Sequence, residues 1–223
     1  MASVSVVKAG GAGTGTLLFA CVAGQGSAAH PYFASPALAA GPESARNVAD
    51  AVHFLCALHG RHPGVVDLAA NRTIDADARS WLLSAGDAMA EERRFLTRLA
   101  VAAGPAPSTP GGAMSETVVI AQRGALATLA QSDRRGCALG AALAFAADWS
   151  RIRTLLEAAA RRLGVDATPC RLGDEETLRA IADAAGATAV TERALLFGAE
   201  QLALQHRGLW DLLEARRQAR LDS

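Results

Sequence analysis

The fold class predicted by this chain is all-α, an antiparallel bundle of five or six helices. Three observations predict it. The apolar content is 51%, mostly Ala and Leu, with only 4% aromatics. Ala and Leu are strong helix formers, whereas strands favour β-branched and aromatic side chains. Apolar residues also recur at three- and four-residue spacing over long stretches, as they do on one buried helix face. Finally, the stretches are separated by Gly, Pro and Asn punctuation of the kind that ends helices.

Residues 1–40 read as an N-terminal arm: a strand-like SVSVV, a glycine run, a short helix around Leu17 to Val22, then HPYFASPAL. Residues 41–223 read as the bundle domain. The first long helix covers about 43–59, with Val48, Ala51, Val52, Leu55 and Leu58 as its stripe and Gly60 as its stop. A short helical turn over 64–70 follows Pro63. The next helix, about 75–103, is capped by Thr73 or Asp75 and carries Ala78, Trp81, Leu82, Ala85, Met89, Leu96 and Leu99 on one face. A Pro/Gly-rich loop over 104–112 ends it. A helix over about 115–131 leads to a tight turn or kink at 132–136. From there a helix runs to Leu163, its first half, CALGAALAFAA, apolar all round as a central helix should be. Asp174 caps a short helix that ends before Gly186. The last helix begins at Thr188 or Thr191 and reaches about Arg217, with Leu195, Ala199, Leu202, His206, Leu209, Trp210 and Leu213 as its stripe.

Charge excludes one class of function. Lys plus Arg equals Asp plus Glu at 22 each. Such a surface has no basic surplus for a nucleic-acid backbone, and no short basic recognition helix appears. No apolar run reaches the roughly 18 to 20 residues that a membrane span needs. The four cysteines are dispersed, without a Cys-x-x-Cys, which fits a reducing cytoplasm better than a disulfide framework. Leu18-Phe19-Ala20-Cys21 loosely matches a lipoprotein cleavage box. The glycine-rich stretch before it is a poor apolar segment, so a cytoplasmic location is expected. High Ala, with Arg far above Lys, suggests a GC-rich bacterial genome.

Gly10 to Thr16 invites a phosphate-loop reading that fails on its own terms. The nucleotide loop needs Lys after its last Gly, where Thr16 stands, and the dinucleotide pattern needs a third Gly at the same place.

Two polar residues fall mid-stripe. Glu92 lies between Met89 and Leu96, and His206 between Leu202 and Leu209. A buried carboxylate or imidazole is costly unless paired, hydrogen-bonded or metal-bound. The two are therefore the candidate ligand-binding or buried polar pair, expected to approach each other across the core. Asp148 sits on the shoulder of its stripe and reads as a helix-boundary or surface residue. His53, His59 and His62 form the one histidine cluster. His53 shares a polar face with Arg46 and Asp50, and His59-Gly-Arg-His62 spans a helix end. Zinc needs three or four convergent ligands, so these three are candidates only and no metal is expected.

Long helices with an inward carboxylate and histidine resemble the ferritin-like bundles over roughly residues 43–218. The resemblance implies a helical scaffold, and in that family a di-iron site built on two Glu-x-x-His pairs. This chain has no Glu-x-x-His: the fourth residue from Glu91 is Arg94, from Glu92 Phe95 and from Glu200 Ala203. The resemblance thus implies a scaffold whose site is altered or lost. The expected function is a non-catalytic bundle that binds a protein partner or a small apolar ligand, as a homodimer and without a cofactor. The alternative is an enzyme or single-metal protein centred on Glu92 and His206.

Overall fold

The computed structural model describes residues 12–223. The strand-like SVSVV and the first glycines of the run lie outside them. Among the described residues there are nine α-helices and no strand: α1 (Thr14–Gln25), α2 (Pro36–Ala39), α3 (Ser44–His59), α4 (Val65–Ala70), α5 (Ala76–Ala103), α6 (Gly112–Ala130), α7 (Cys137–Leu163), α8 (Glu175–Ala185) and α9 (Ala189–Leu221). The count exceeds the expected five or six because the arm folds into α1 and α2, and the turn after Pro63 is a full helix, α4. No helix among the described residues is long and apolar enough to cross a membrane.

Local chemistry sets most boundaries. Asp75, Asp174 and Thr188 accept from the backbone N–H three residues on, capping α5, α8 and α9. Gly136 and Gly164 bracket α7 in left-handed conformations, φ 96° and 66°, that side chains other than glycine rarely adopt.

α7 is the central helix. Every residue from Cys137 to Trp149 is buried, and α7 packs most extensively on α9 and also touches α1, α4, α5, α6 and α8. The α7–α9 crossing is backbone to backbone. A Cβ on Gly140 would overlap the Leu195 carbonyl, and one on Gly198 would overlap the Cys137 carbonyl. Leu18, Val22, Tyr32 and Leu38 from the first forty residues enter the same core cluster as the long helices.

The expected antiparallel arrangement needs correction. Gly136 lies against Thr191, Gly140 against Leu195, and Asp148 against His206, so α7 and α9 run the same way. α5 joins them: its start at Asp75 lines the same cleft as Gly136, and Glu92 meets Arg153 further along. The parallel alignment is set by α6 and α8, which bring the chain back to one end before α7 and α9 begin. The connections 71–75, 131–136 and 186–188 therefore meet there. α3 runs against α9, since Asp50 meets Arg216 whereas His59 meets His206.

A buried polar relay and two clefts as candidate functional sites

Asp148 and Trp149 are consecutive on α7, about 100° apart around the helix, and each starts a separate line of buried polar groups. On the Asp148 side, the Ser27 backbone N–H donates to Oδ1 at 2.9 Å and the Ser27 hydroxyl to Oδ2 at 2.5 Å. His206 Nδ1 lies 2.6 Å from the same Oδ2, and His206 Nε2 is 3.1 Å from His59 Nε2. Ser27 and His206 are fully buried, Asp148 is 1% exposed and His59 6%. The approach of the Ser27 backbone depends on Gly26, whose Cβ would stand 2.6 Å from Asp148 Oδ1.

Asp148 accepts both Ser27 donors, and as a carboxylate it can only accept from His206, which assigns the His206 tautomer with a proton on Nδ1. Burial, then the neighbouring His206 and Arg93, keep the His59 imidazole well below its ordinary pKa of 6.5. His59 is therefore neutral. The Nε2 to Nε2 contact holds one proton between the two rings. The chain Asp148–His206–His59 can hold or pass a proton, but it ends among aromatic rings, with Phe145 at 5.0 Å and Trp149 at 5.6 Å from His59.

On the other side, Trp149 Nε1 donates to Glu92 Oε2 at 2.9 Å, and Arg153 Nη1 donates to Glu92 Oε1. Arg153 Nη2 donates to the Thr168 carbonyl, and its guanidinium lies 4.2 Å over the Phe95 ring. The side chains of Glu92 and Arg153 are 1% and 4% exposed. Burial first, and then Glu92, push the nearby Cys170 thiol above its usual pKa, so it stays protonated.

Glu92 and His206 thus do not pair with each other. Helix α7 lies between α5 and α9, and each residue finds its partners on it. Asp148, expected at a boundary or the surface, is the buried hub of one line. The histidine cluster also separates. His53 Nε2 meets the Gly104 carbonyl at 2.8 Å, His62 is 69% exposed and 3.4 Å from Asp67, and His59 points into the core. No three His, Cys, Asp or Glu side chains converge as a metal site among the described residues.

A third polar cluster was missed by the sequence reading. Asp50, expected on a polar face, is 1% exposed. Arg216 donates to it through Nε at 3.2 Å and Nη2 at 2.8 Å, and Arg220 donates through Nη1. Arg220 also donates to Asn47 Oδ1 at 2.8 Å and Thr109 Oγ1 at 2.9 Å. The signal was present. Arg216 and Arg220 continue the spacing of Leu202, His206, Leu209 and Leu213 along the inward face of α9. Beside them the Tyr32 hydroxyl is buried without a partner, and burial pushes its pKa up to about 12.

Two clefts open at opposite ends. One, of about 490 Å³, lies where the three connections meet and is walled by Ile74, Ala138, Leu139 and Ala187, with Arg134 and Arg135 among its polar lining. The other, of about 430 Å³, lies between the start of α3 and the 105–108 loop, with Arg220 in its wall. Neither is lined by Glu92 or His206.

A family model matches residues 22–221, a span that includes all three polar clusters. The chain belongs to the DUF6975 family. That family is described as one of unknown function. No curated protein and no solved structure matches the chain, and no ferritin-like family was found.

Proposed function

We propose that this DUF6975 protein is a non-catalytic binding protein that takes a small, mainly apolar molecule in the cleft where the three connections meet. The observation that carries this reading is a division of labour. The ionisable groups of the two central lines, Asp148, His206, His59, Glu92 and Arg153, are engaged by neighbouring polar groups and sealed at 0–6% exposure, and none of them lines either cleft. The cleft, by contrast, offers an open wall of Ile74, Leu139 and alanines. Its volume of about 490 Å³ suits a small ligand, since such pockets span roughly 300–1,000 Å³. Arg134 and Arg135 at its edge are suited to a polar end of the same molecule.

Titration with an environment-sensitive apolar dye such as an anilinonaphthalene sulfonate tests this. Saturable binding of one dye per chain is expected. Ala187→Trp, at an exposed position in the cleft, should block it, and Ala45→Trp at the other end should not. Equal loss in both variants, or no saturable binding, would overturn the reading.

A further inference from the structure

The charges at the far end of α9 do not balance. Asp50 is one carboxylate, 1% exposed, and two guanidinium groups bind it. The side chains of Arg216 and Arg220 are only 4% and 5% exposed. Among the described residues, neither arginine has a second carboxylate within ion-pair distance. Their other acceptors, the Pro107 carbonyl, Thr109 Oγ1 and Asn47 Oδ1, are neutral. One positive charge is therefore held out of water without an anion, a state that proteins relieve by supplying one. The central cluster has no such surplus, since Arg153 has Glu92 and, at 3.4 Å, the half-exposed Glu157.

The surplus borders an open space. Arg220 lines the 430 Å³ cleft, and its Nε–H is buried with no acceptor. Arg46 lines the same cleft with its side chain 65% exposed, held only by a 3.5 Å contact to Glu43. Ser108 is exposed on the opposing loop, where Pro105 and Pro107 restrict the backbone. Guanidinium groups match the geometry of phosphoryl and similar oxyanions and bind them with charge-assisted hydrogen bonds.

We propose that this cleft is a binding site for a small oxyanion, a phosphate group in particular, held between Arg46 and Arg220 and supplying the negative charge that the Asp50 cluster lacks. The site is separate from the apolar cleft at the other end of the molecule and does not depend on it.

Inorganic phosphate is the probe. Thermal melts of the full chain at constant ionic strength, with phosphate replacing chloride, should show a midpoint that rises with phosphate in the manner of a single site. Isothermal titration should give one phosphate per chain. Arg46→Gln should weaken that binding about tenfold, the size expected for losing one charge-assisted contact. Arg220→Met should abolish the phosphate dependence, and without phosphate its midpoint should not fall, because the surplus charge has been removed. If Arg220→Met does not fold, that result contradicts the charge argument, and Arg46→Gln still reports on the site. A wild-type midpoint that responds to phosphate no more than to chloride would overturn the proposal. So would variants that bind phosphate as the wild type does.

Discussion

In the middle of the molecule one buried carboxylate faces one guanidinium, which the half-exposed Glu157 also approaches at 3.4 Å; at the end of α9 one buried carboxylate faces two guanidiniums. Both clusters pair carboxylate with guanidinium and both are buried. They differ in what surrounds them. Glu92 and Arg153 add neutral partners, Trp149 Nε1 and the Thr168 carbonyl, and neither lines either cleft, although Arg153 Nε, like Arg220 Nε, is buried without a hydrogen-bond acceptor. Among the described residues, Arg220 has no second carboxylate within ion-pair distance, and it sits in the wall of a cleft. The lesson is that charge balance, more than residue type, decides whether a polar cluster in this fold serves only to hold helices together or stays available to something outside.

The largest effect that would test this contrast is at Asp50. Asp50→Leu strands two adjacent buried guanidiniums. It should destabilise the protein by at least the roughly 3–5 kcal/mol typical of breaking a buried ion pair, read from urea unfolding. A cost under about 1 kcal/mol would show that the cluster is effectively solvated.

Next is the centre. Glu92→Leu should cost about 3–5 kcal/mol by removing the buried carboxylate of Arg153 and leaving it only the half-exposed Glu157. Adding Arg153→Met should recover much of that, because an apolar pair replaces a balanced one. Simple additivity of the two changes would mean that they do not form an energetic unit.

The histidine line gives a smaller effect that depends on pH. Folded His59 stays neutral to well below its ordinary value of 6.5, while in the unfolded chain it takes up a proton near that pH. The unfolded state then binds more protons, so this contribution to stability is full above about pH 6.5 and declines as pH falls through it. The slope is at most about 1.4 kcal/mol per pH unit. His59→Gln should flatten the wild-type slope between about pH 6.5 and 5. Parallel stability profiles for the two proteins would place the titration elsewhere.

The smallest effect is expected from Arg220→Met in phosphate-free buffer, which should be no less stable than wild type, since the bidentate Asp50–Arg216 pair survives. A loss as large as that of Glu92→Leu would erase the difference between the two regions.

The sequence showed part of this directly. Stripe positions were enough to place Glu92 and His206 inside, because their neighbours at three and four residues are apolar. Their partners were harder to see. The start of α7 is buried on every face, so no single stripe assigns a side to Asp148, and Arg153 follows Ile152 on a neighbouring face. Arg216 and Arg220 come after Leu213, where charged residues look like a solvated helix end, although their spacing continues the inward face. The direction of α7 relative to α9 was not legible. Periodicity tells which face of a helix is buried, but not which end of the molecule the connecting segments α6 and α8 return to.

The close crossing at Gly140 and Gly198 has a further consequence for how the chain finds its native arrangement. Asp148 and His206 each stand eight residues after their glycine. Because α7 and α9 run the same way, the contact that permits backbone approach also brings acid and base level. A slip of α9 by one turn, about 5.4 Å, would set Leu202 or Trp210 opposite Asp148 and leave the carboxylate without its imidazole. It would also drive a side chain into the gap that the glycine leaves open. Misaligned versions of this helix pair are thus penalised twice, by steric overlap and by a stranded charge, and only one alignment escapes both.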